Sequence, residues 1–141
     1  MKIILGSDHI GFKLKKNICA WLKEKNYEIE DIGCHSEARV DYTNYSKILC
    51  QIIITQKFKF GILICGTGIG MSISANKIKG IRAAACSDIY SAKMSRAHNN
   101  ANILCLGSRV IGTEIAYMMI EEWINTEFEE GRQQQRVKNY E

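Results

Sequence analysis

A cysteine stands directly in front of a glycine-rich loop in the segment GILICGTGIGMSISANK, residues 61–77. Apolar residues lead into Cys65, and the loop GTGIG follows it at positions 66–70. Glycines are favoured where the backbone twists unusually or approaches a ligand closely. Successive amide N–H groups at the start of a helix form a donor cluster for an anion. The segment therefore predicts a site for a phosphate or for an oxyanion formed during a reaction, with a tight packing turn as the structural alternative.

Cys65 meets the donor-rich start of the following helix, a setting that favours the thiolate. A thiolate beside an anion site can act as a nucleophile or as a base that abstracts a proton. The residues alone leave both roles open. The structural alternative is an inert core cysteine at the end of a strand.

Several phosphate-binding motifs fail against the sequence CGTGIGMS. A P-loop requires a lysine after its glycines, and none is present here. A cysteine phosphatase loop would need arginine at the position of Met71. The dinucleotide fingerprint G-x-G-x-x-G is missed by one residue, although Asp88 follows at about the expected distance. A nicotinamide or flavin site is therefore the minor alternative.

Asp8 and His9 follow the first predicted strand, in the sequence GSDHIG. An exposed polar pair in this place is suited to acid–base chemistry or to ligand contact. The structural alternative is an N-cap for the helix that begins near Gly11. Both interpretations are compatible, with Asp8 capping the helix and His9 contacting the ligand.

Five strand-like segments alternate with helical ones along the chain: KIILGSD, YEIEDIG, FGILICG, IRAAACS and ANILCLG. The first helical segment has apolar residues on one side and lysines on the other. Later helices are predicted over residues 44–56, 71–76, 88–97 and 113–126. Strict alternation predicts an α/β, doubly wound, Rossmann-like parallel sheet with helices on both faces.

The strands differ in apolar pattern, and this difference predicts their order. YEIE alternates and is expected at an edge, whereas ILI and NILCL are near-continuous apolar runs typical of strands covered on both faces. These features favour the flavodoxin-like order 2-1-3-4-5, with a crevice at the carboxyl ends of strands 1 and 3. Those ends carry GSDHIG and ICGTGIG.

Composition is that of one globular domain: 141 residues, 46% hydrophobic and 24% charged. No apolar run has the length of a membrane span, and the first residues do not resemble a signal peptide. The net charge of +4 is scattered, so no nucleic-acid partner is indicated. Six cysteines without metal-ligand spacing indicate a reduced, cytoplasmic protein with no metal site. Four of them are expected to be small buried hydrophobes: Cys19, Cys50, Cys86 and Cys105.

Five motifs together resemble the type B ribose-5-phosphate isomerase family: GSDHIGFKLK, DIGCHSEARVDY, ICGTGIGMSISANKIKGIRAA, SRAHNNANILCLGSRVIG and GRQQQR. The resemblance extends over nearly the whole chain. The wider family includes galactose-6-phosphate and allose-6-phosphate isomerases, and it interconverts aldose and ketose phosphates without metal or cofactor. The resemblance therefore implies ribose 5-phosphate to ribulose 5-phosphate isomerisation in the non-oxidative pentose phosphate pathway.

The resemblance also implies roles for individual residues. Cys65 matches the base that moves a proton between C2 and C1 through a cis-enediolate, and His98 matches the residue that opens the furanose ring. The loop matches the hole for the enediolate oxygen, formed by Gly66, Thr67, Gly68, Ile69 and Gly70. The remaining matches are sugar contacts, Asp8, Tyr42 and Asn99, and phosphate contacts, His9, Arg109, Arg132 and Arg136.

Some of these matches have ordinary structural alternatives. His98 could simply end a helix, where a cation complements the helix dipole. Arg132 and Arg136 would share one face of a helix, which in a polar tail is more often solvated. Thr43 stands where many relatives carry proline, which predicts a looser loop around Tyr42. The stretch MSISANK lacks the acid that some relatives use as the base, and this strengthens the assignment to Cys65.

Topology separates the predicted site residues into two groups. His98 closes the fourth helix and Arg132 lies beyond the fifth, so both are expected at the edge of the sheet opposite Cys65. A second subunit would have to bring them to Cys65, which predicts a homodimer, or a tetramer, with the tail of about residues 127–141 packing on the partner. A hexose-6-phosphate isomerase and a non-catalytic nucleotide- or phosphate-binding module are the alternative functions.

Overall fold

The computed structural model describes residues 2–56 and 60–141. Its strands are β1 (Lys2–Ser7), β2 (Glu28–Asp31), β3 (Phe60–Cys65), β4 (Ala83–Ala85) and β5 (Ile103–Gly107). Its helices are α1 (Phe12–Glu24), α2 (Tyr42–Gln56), α3 (Ile69–Ala75), α4 (Ile89–Ala97), α5 (Thr113–Ile124) and α6 (Arg132–Asn139). Within the described ranges, no helix has the length and apolar character needed to cross a bilayer.

The strands form one parallel sheet in the order β2-β1-β3-β5-β4. The predicted α/β architecture and the edge position of β2 are confirmed, but the predicted order is wrong for the last two strands. All five residues of β5 are buried, so this strand belongs between two neighbours. β4 has only three alanines, none of them buried, and such a strand is suited to an edge.

Side chains from the two faces of the sheet form separate apolar clusters. On one face Ile62, Ile64 and Leu104 pack with residues of α1, α4 and α5, and Phe60 contacts Trp123 with ring centroids 4.8 Å apart. On the other face Leu63, Cys65 and Cys105 pack with α2 and α3. Alternate strand residues point to opposite faces, so helices on both sides bury the sheet and leave its carboxyl-end edge open for a site.

Candidate active site

The carboxyl ends of β1 and β3 lie side by side, as the sequence predicts. Ser7 is paired with Ile64 in the sheet register, and the Asp8 amide donates to the Ile64 carbonyl at 3.2 Å. Cys65, the last residue of β3, is paired with Gly107, the last residue of β5. Three strand ends therefore bring the Asp8 segment, the glycine loop and the segment after β5 together at one edge.

The Cys65 sulfur accepts a hydrogen bond from the Gly68 amide at an N···S distance of 3.1 Å. The residue is only 5% exposed and belongs to the apolar cluster on the face covered by α2 and α3. A donor directed at sulfur stabilises the anionic form of the thiol. In this structure the Gly68 amide is directed at the Cys65 sulfur, whereas the resemblance implies that this loop amide contacts the enediolate oxygen.

Two glycines allow the loop to lie on the end of β5. Gly68 has φ +81°, and a Cβ there would be 3.0 Å from the carbonyl carbon of Leu106. A Cβ at Gly107 would lie 2.7 Å from the carbonyl carbon of Thr67. Neither position accommodates a side chain, so the close approach of loop and strand depends on both glycines.

Thr67 and Ile69 close the loop into the start of α3. The Ile69 amide donates to Thr67 Oγ1 at 3.2 Å. Because that oxygen is the acceptor, the Thr67 hydroxyl proton is available to a ligand. The Gly66 carbonyl accepts from the Arg109 amide at 3.1 Å, which fixes the loop against the segment that carries the arginine.

Tyr42 begins α2 and lies against the glycine loop. A Cβ at Gly70 would be 2.8 Å from Tyr42 Cζ, so the ring covers this glycine closely. Asp41 Oδ1 accepts from the Thr43 hydroxyl at 2.8 Å and from the Thr43 amide at 2.9 Å, and these two bonds hold the pKa of Asp41 below its ordinary value. Thr43 thus binds the start of α2 to Asp41 through both of its donors, and its effect on the loop relative to proline stays a prediction.

Asp8 and His9 each contact a backbone amide. Asp8 is 5% exposed, and its Oδ1 accepts from the Gly11 amide at 2.9 Å. Gly11 is itself the N-cap of α1, so Asp8 closes the turn before the helix and the predicted N-cap role is wrong. His9 Nδ1 accepts from the Val40 amide at 3.2 Å. His9 and Arg109 also line a common cavity of about 500 Å³, together with Lys13, Ser108 and Thr113. Such a cavity is suited to a phosphate group.

The remaining predicted residues lie at the end of α4 and in the tail. His98 is the C-cap of α4, and its Nε2 is 3.8 Å from Glu129 Oε2. The carbonyl of Asn99 accepts from the Tyr140 hydroxyl at 3.2 Å. Two further residues, Arg132 and Arg136, belong to α6, so they share one helix face.

The tail from about residue 127 contacts its own chain. The Glu129 amide donates to the Ala97 carbonyl at 2.8 Å, and Val137 is buried. Glu141 forms an ion pair with Arg82. The tail therefore lies beside His98 and Asn99, and its packing on a second subunit stays a prediction.

The structure does not bring His98 to Cys65 within one chain. His98 precedes β5, which begins at Ile103, whereas Cys65 is paired with Gly107 at the other end of that strand. Five residues of parallel strand extend over about 13 Å. The predicted site residues are thus divided between the carboxyl-end edge of the sheet and the edge where the strands begin.

The other cysteines predicted to be core residues are all buried. Burial raises the pKa of Cys19, Cys50 and Cys86 to about 11, and it raises the pKa of Cys105 well above the ordinary value. These thiols stay protonated at neutral pH. Over residues 2–56 and 60–141, no three His, Cys, Asp or Glu side chains form a group that could hold a metal ion.

Two contributors to the site were missed in the sequence. The Val40 amide binds His9, and a backbone donor has no signature in the side-chain sequence. Gly107 accommodates the Thr67 backbone, and a glycine at the end of an apolar strand was the available signal. Both contacts join segments that are far apart in the chain.

The fold and the site define an α/β protein in which a cysteine meets a glycine loop at the carboxyl end of a parallel sheet. A sequence model described as Ribose/Galactose Isomerase matches residues 3–140, and the chain belongs to this family. Ribose-5-phosphate isomerase B of Escherichia coli is 48% identical over 137 residues, which cover 97% of this chain and 92% of that protein.

Solved structures of ribose-5-phosphate isomerase B proteins are similar to this chain as well. The structure of Clostridium thermocellum ribose-5-phosphate isomerase B has a TM-score of 0.97 at 46% identity, and the alignment covers 99% of this chain and 94% of that one. The Thermotoga maritima ribose 5-phosphate isomerase structure also has a TM-score of 0.97, at 45% identity, with 99% and 96% covered. The family resemblance predicted from the five motifs is confirmed.

Proposed function

We propose that this protein interconverts D-ribose 5-phosphate and D-ribulose 5-phosphate by proton transfer, without a metal or cofactor. The observation that carries the proposal is the hydrogen bond at Cys65. Its sulfur accepts from the Gly68 amide of the glycine loop, at an N···S distance of 3.1 Å. Similarity to the E. coli ribose-5-phosphate isomerase B supports the choice of substrate. All six cysteines are free thiols, which supports a reducing, cytoplasmic setting.

In this proposal the Cys65 thiolate removes the proton from C2 of the open-chain aldose. The C–H electron pair forms the C1–C2 double bond, and negative charge develops on O1. Donors of the loop, including the Thr67 hydroxyl, stabilise that charge. The thiol then returns its proton to C1, the O2 proton passes to O1, and C2 becomes the ketone carbon. A weakly acidic carbon acid requires both the base and the anion site.

The cavity shared by His9 and Arg109 would hold the phosphate group. A guanidinium and an imidazole N–H are suitable donors for phosphate oxygens. The Tyr42 ring lies against Gly70 of the loop, and Asp8 directly precedes His9, which lines the cavity. These positions support roles for both residues in binding the sugar hydroxyls.

A second copy of the chain would complete the site. His98 would open the furanose ring, Asn99 would contact the sugar, and two residues of α6, Arg132 and Arg136, would bind the phosphate. The position of these residues at the opposite edge of the sheet supports a homodimer, or a tetramer built from dimers, whose active sites are shared between subunits.

The proposal is tested by a coupled assay with ribose 5-phosphate on the wild type and on Cys65→Ala. Loss of the general base should lower kcat by about 10²–10⁴-fold, while calorimetry should still detect binding. Cys19→Ala, which removes a buried thiol in α1, is the control and should retain kcat. Binding with no turnover by the wild type would instead indicate a non-catalytic phosphate-binding module. Faster turnover of allose 6-phosphate or galactose 6-phosphate would indicate a hexose-phosphate isomerase.

A further inference from the structure

A lysine is buried on the inner side of α1. The Lys15 side chain is 1% exposed, and its Nζ lies 2.7 and 2.6 Å from the two carboxylate oxygens of Asp31. Lysine is rarely buried without a partner. A buried ion pair adds little stability compared with two apolar side chains of similar volume, because both charges lose their hydration. Stability alone therefore does not explain this pair.

Asp31 connects the lysine to the loop between β2 and α2, residues 32–41. The carboxylate is at the end of β2, and its Oδ1 also accepts from the Gly33 amide at 2.9 Å. One carboxylate thus binds the Lys15 ammonium group and the second residue of the loop. The start of the loop is held to α1 through this carboxylate.

The same loop is joined to the end of β1. The Ser7 amide donates to the Gly33 carbonyl at 2.8 Å, and the Cys34 amide donates to the Ser7 carbonyl at 2.9 Å. Ser7 immediately precedes Asp8 and His9. A displacement of Gly33 would therefore act directly on the segment that carries both residues.

The far end of the loop determines which nitrogen of His9 is protonated. The Val40 amide donates to His9 Nδ1 at 3.2 Å, and an amide N–H can only donate. In a neutral imidazole one nitrogen accepts and the other carries the proton. Since Nδ1 is the acceptor, the proton is on Nε2, where it is available to an anion in the cavity that His9 lines.

We propose that the Lys15–Asp31 pair positions the loop 32–41 so that the Val40 amide holds His9 as the Nε2–H tautomer, ready to donate to the substrate phosphate. Lys15 and Asp31 are positioning residues, because neither contacts the ligand cavity through its charged group. The role of His9 toward phosphate rests on the proposed function, whereas its tautomer follows from the loop contacts.

Kinetics of the double variant Lys15→Met/Asp31→Leu separate positioning from stability. An apolar pair of similar size should preserve folding, but the bond to the Gly33 amide is lost. We expect KM for ribose 5-phosphate, and the inhibition constant of inorganic phosphate, to rise about tenfold, the effect of one weakened charged hydrogen bond. The value of kcat should change by less than about twofold, because this loss is one of ground-state binding.

Two comparison variants sharpen this measurement. Asp31→Asn retains an oxygen for the Gly33 amide, so its KM should fall between those of the wild type and the double variant. Lys25→Met removes an exposed ion pair with Glu121 and should leave KM unchanged. A double variant that melts at the wild-type temperature and has the wild-type KM would overturn the proposal, since the pair would then be structural only.

The His9 tautomer is measured without substrate by long-range ¹H–¹⁵N NMR of the imidazole rings, with His9→Gln used to assign the signal. The wild type should show an unprotonated Nδ1 and a protonated Nε2, and the double variant should show a mixture of tautomers. A protonated Nδ1 in the neutral wild-type ring, or the same tautomer in both proteins, would contradict the proposal. Because this measurement uses no substrate, it tests the tautomer of His9 even if ribose 5-phosphate proves not to be the substrate.

Discussion

The two edges of the sheet hold their functional side chains in different ways. At the carboxyl-end edge, Cys65, Asp8 and His9 are each bound to a backbone amide at distances of 2.9 to 3.2 Å. At the other edge, the His98 side chain is 40% exposed, and its Nε2 lies 3.8 Å from Glu129 Oε2. One edge holds these groups by backbone hydrogen bonds, whereas the other presents its groups outward.

This difference matches the chemistry that each edge would perform. Proton transfer at carbon requires a base and donors held in position, because reorganisation during the reaction adds to the barrier. Ring opening and phosphate binding involve groups that reach the substrate from outside. Outward-facing groups can act on a second copy of the chain, so we interpret the opposite edge as half of the partner's site.

Complementation between two inactive variants tests whether the two edges of the sheet belong to different sites. Among the experiments below, it has the largest expected effect on activity. A mixture of Cys65→Ala and His98→Asn, unfolded and refolded together, should form hybrid dimers with one intact site, because the intact residues come from different chains. Random pairing should restore about a quarter of wild-type activity. Each variant refolded alone is the control. Absence of recovery from hybrids shown to form would place His98 and Cys65 of the same chain in one site.

His98→Asn separates ring opening from proton transfer. Turnover of cyclic ribose 5-phosphate should fall by about a hundredfold, the effect of losing a general acid–base group. Ribulose 5-phosphate has no ring to open, so exchange of its C1 hydrogen with solvent deuterium should continue near the wild-type rate. Deuterium incorporation followed by NMR measures this exchange. Equal losses in exchange and turnover would argue against a ring-opening role.

Local sequence pattern was sufficient for the elements and for the centre of the site. Continuous apolar runs marked the covered strands, and the glycines after Cys65 marked the loop. The predicted positions of β4 and β5 were wrong because they followed chain order, although the apolar run ILCL already indicated a central strand. Helix α3 begins at Ile69 rather than near Met71, so Gly70 belongs to its first turn.

Contacts between distant segments could not be predicted from the local sequence pattern. Lys15 was grouped with the solvent-facing lysines of α1, yet it lies three residues before Ile18 and seven before Leu22, on the buried face. Its partner Asp31 belongs to another element, and the Val40 amide that binds His9 belongs to a loop. Such pairings depend on tertiary structure, and a charged residue at an apolar position was the one local signal.

Gly68→Ala tests whether the loop geometry prepares Cys65 for proton transfer. A methyl group would meet the Leu106 backbone at 3.0 Å with φ at +81°, so the loop must move and the Gly68 amide must leave the sulfur. We expect kcat to fall by about tenfold and the free energy of unfolding to fall by about 1–3 kcal/mol. Urea denaturation and the coupled assay measure the two effects.

Gly112→Ala is the control for this glycine substitution. No atom lies within 4 Å of a Cβ at Gly112, and its φ is −77°, so the free energy of unfolding should be nearly unchanged. If Gly68→Ala retained both the wild-type stability and the wild-type kcat, the loop would not depend on its left-handed residue, and the assigned role of the Gly68 amide would be lost.

Tyr140→Phe probes the edge of the sheet that carries His98 and Asn99. Among these variants it has the smallest expected effect on activity. Its hydroxyl donates to the Asn99 carbonyl at 3.2 Å, and loss of this exposed bond should cost less than about 1 kcal/mol of stability. Because Asn99 and His98 are adjacent, kcat/KM should fall by about two- to threefold. Tyr117→Phe removes a comparable bond to the Asn17 carbonyl, 3.3 Å long and remote from His98, and should leave kcat/KM unchanged. Equal kinetics for the two variants would mean that the tail does not position the edge that carries His98.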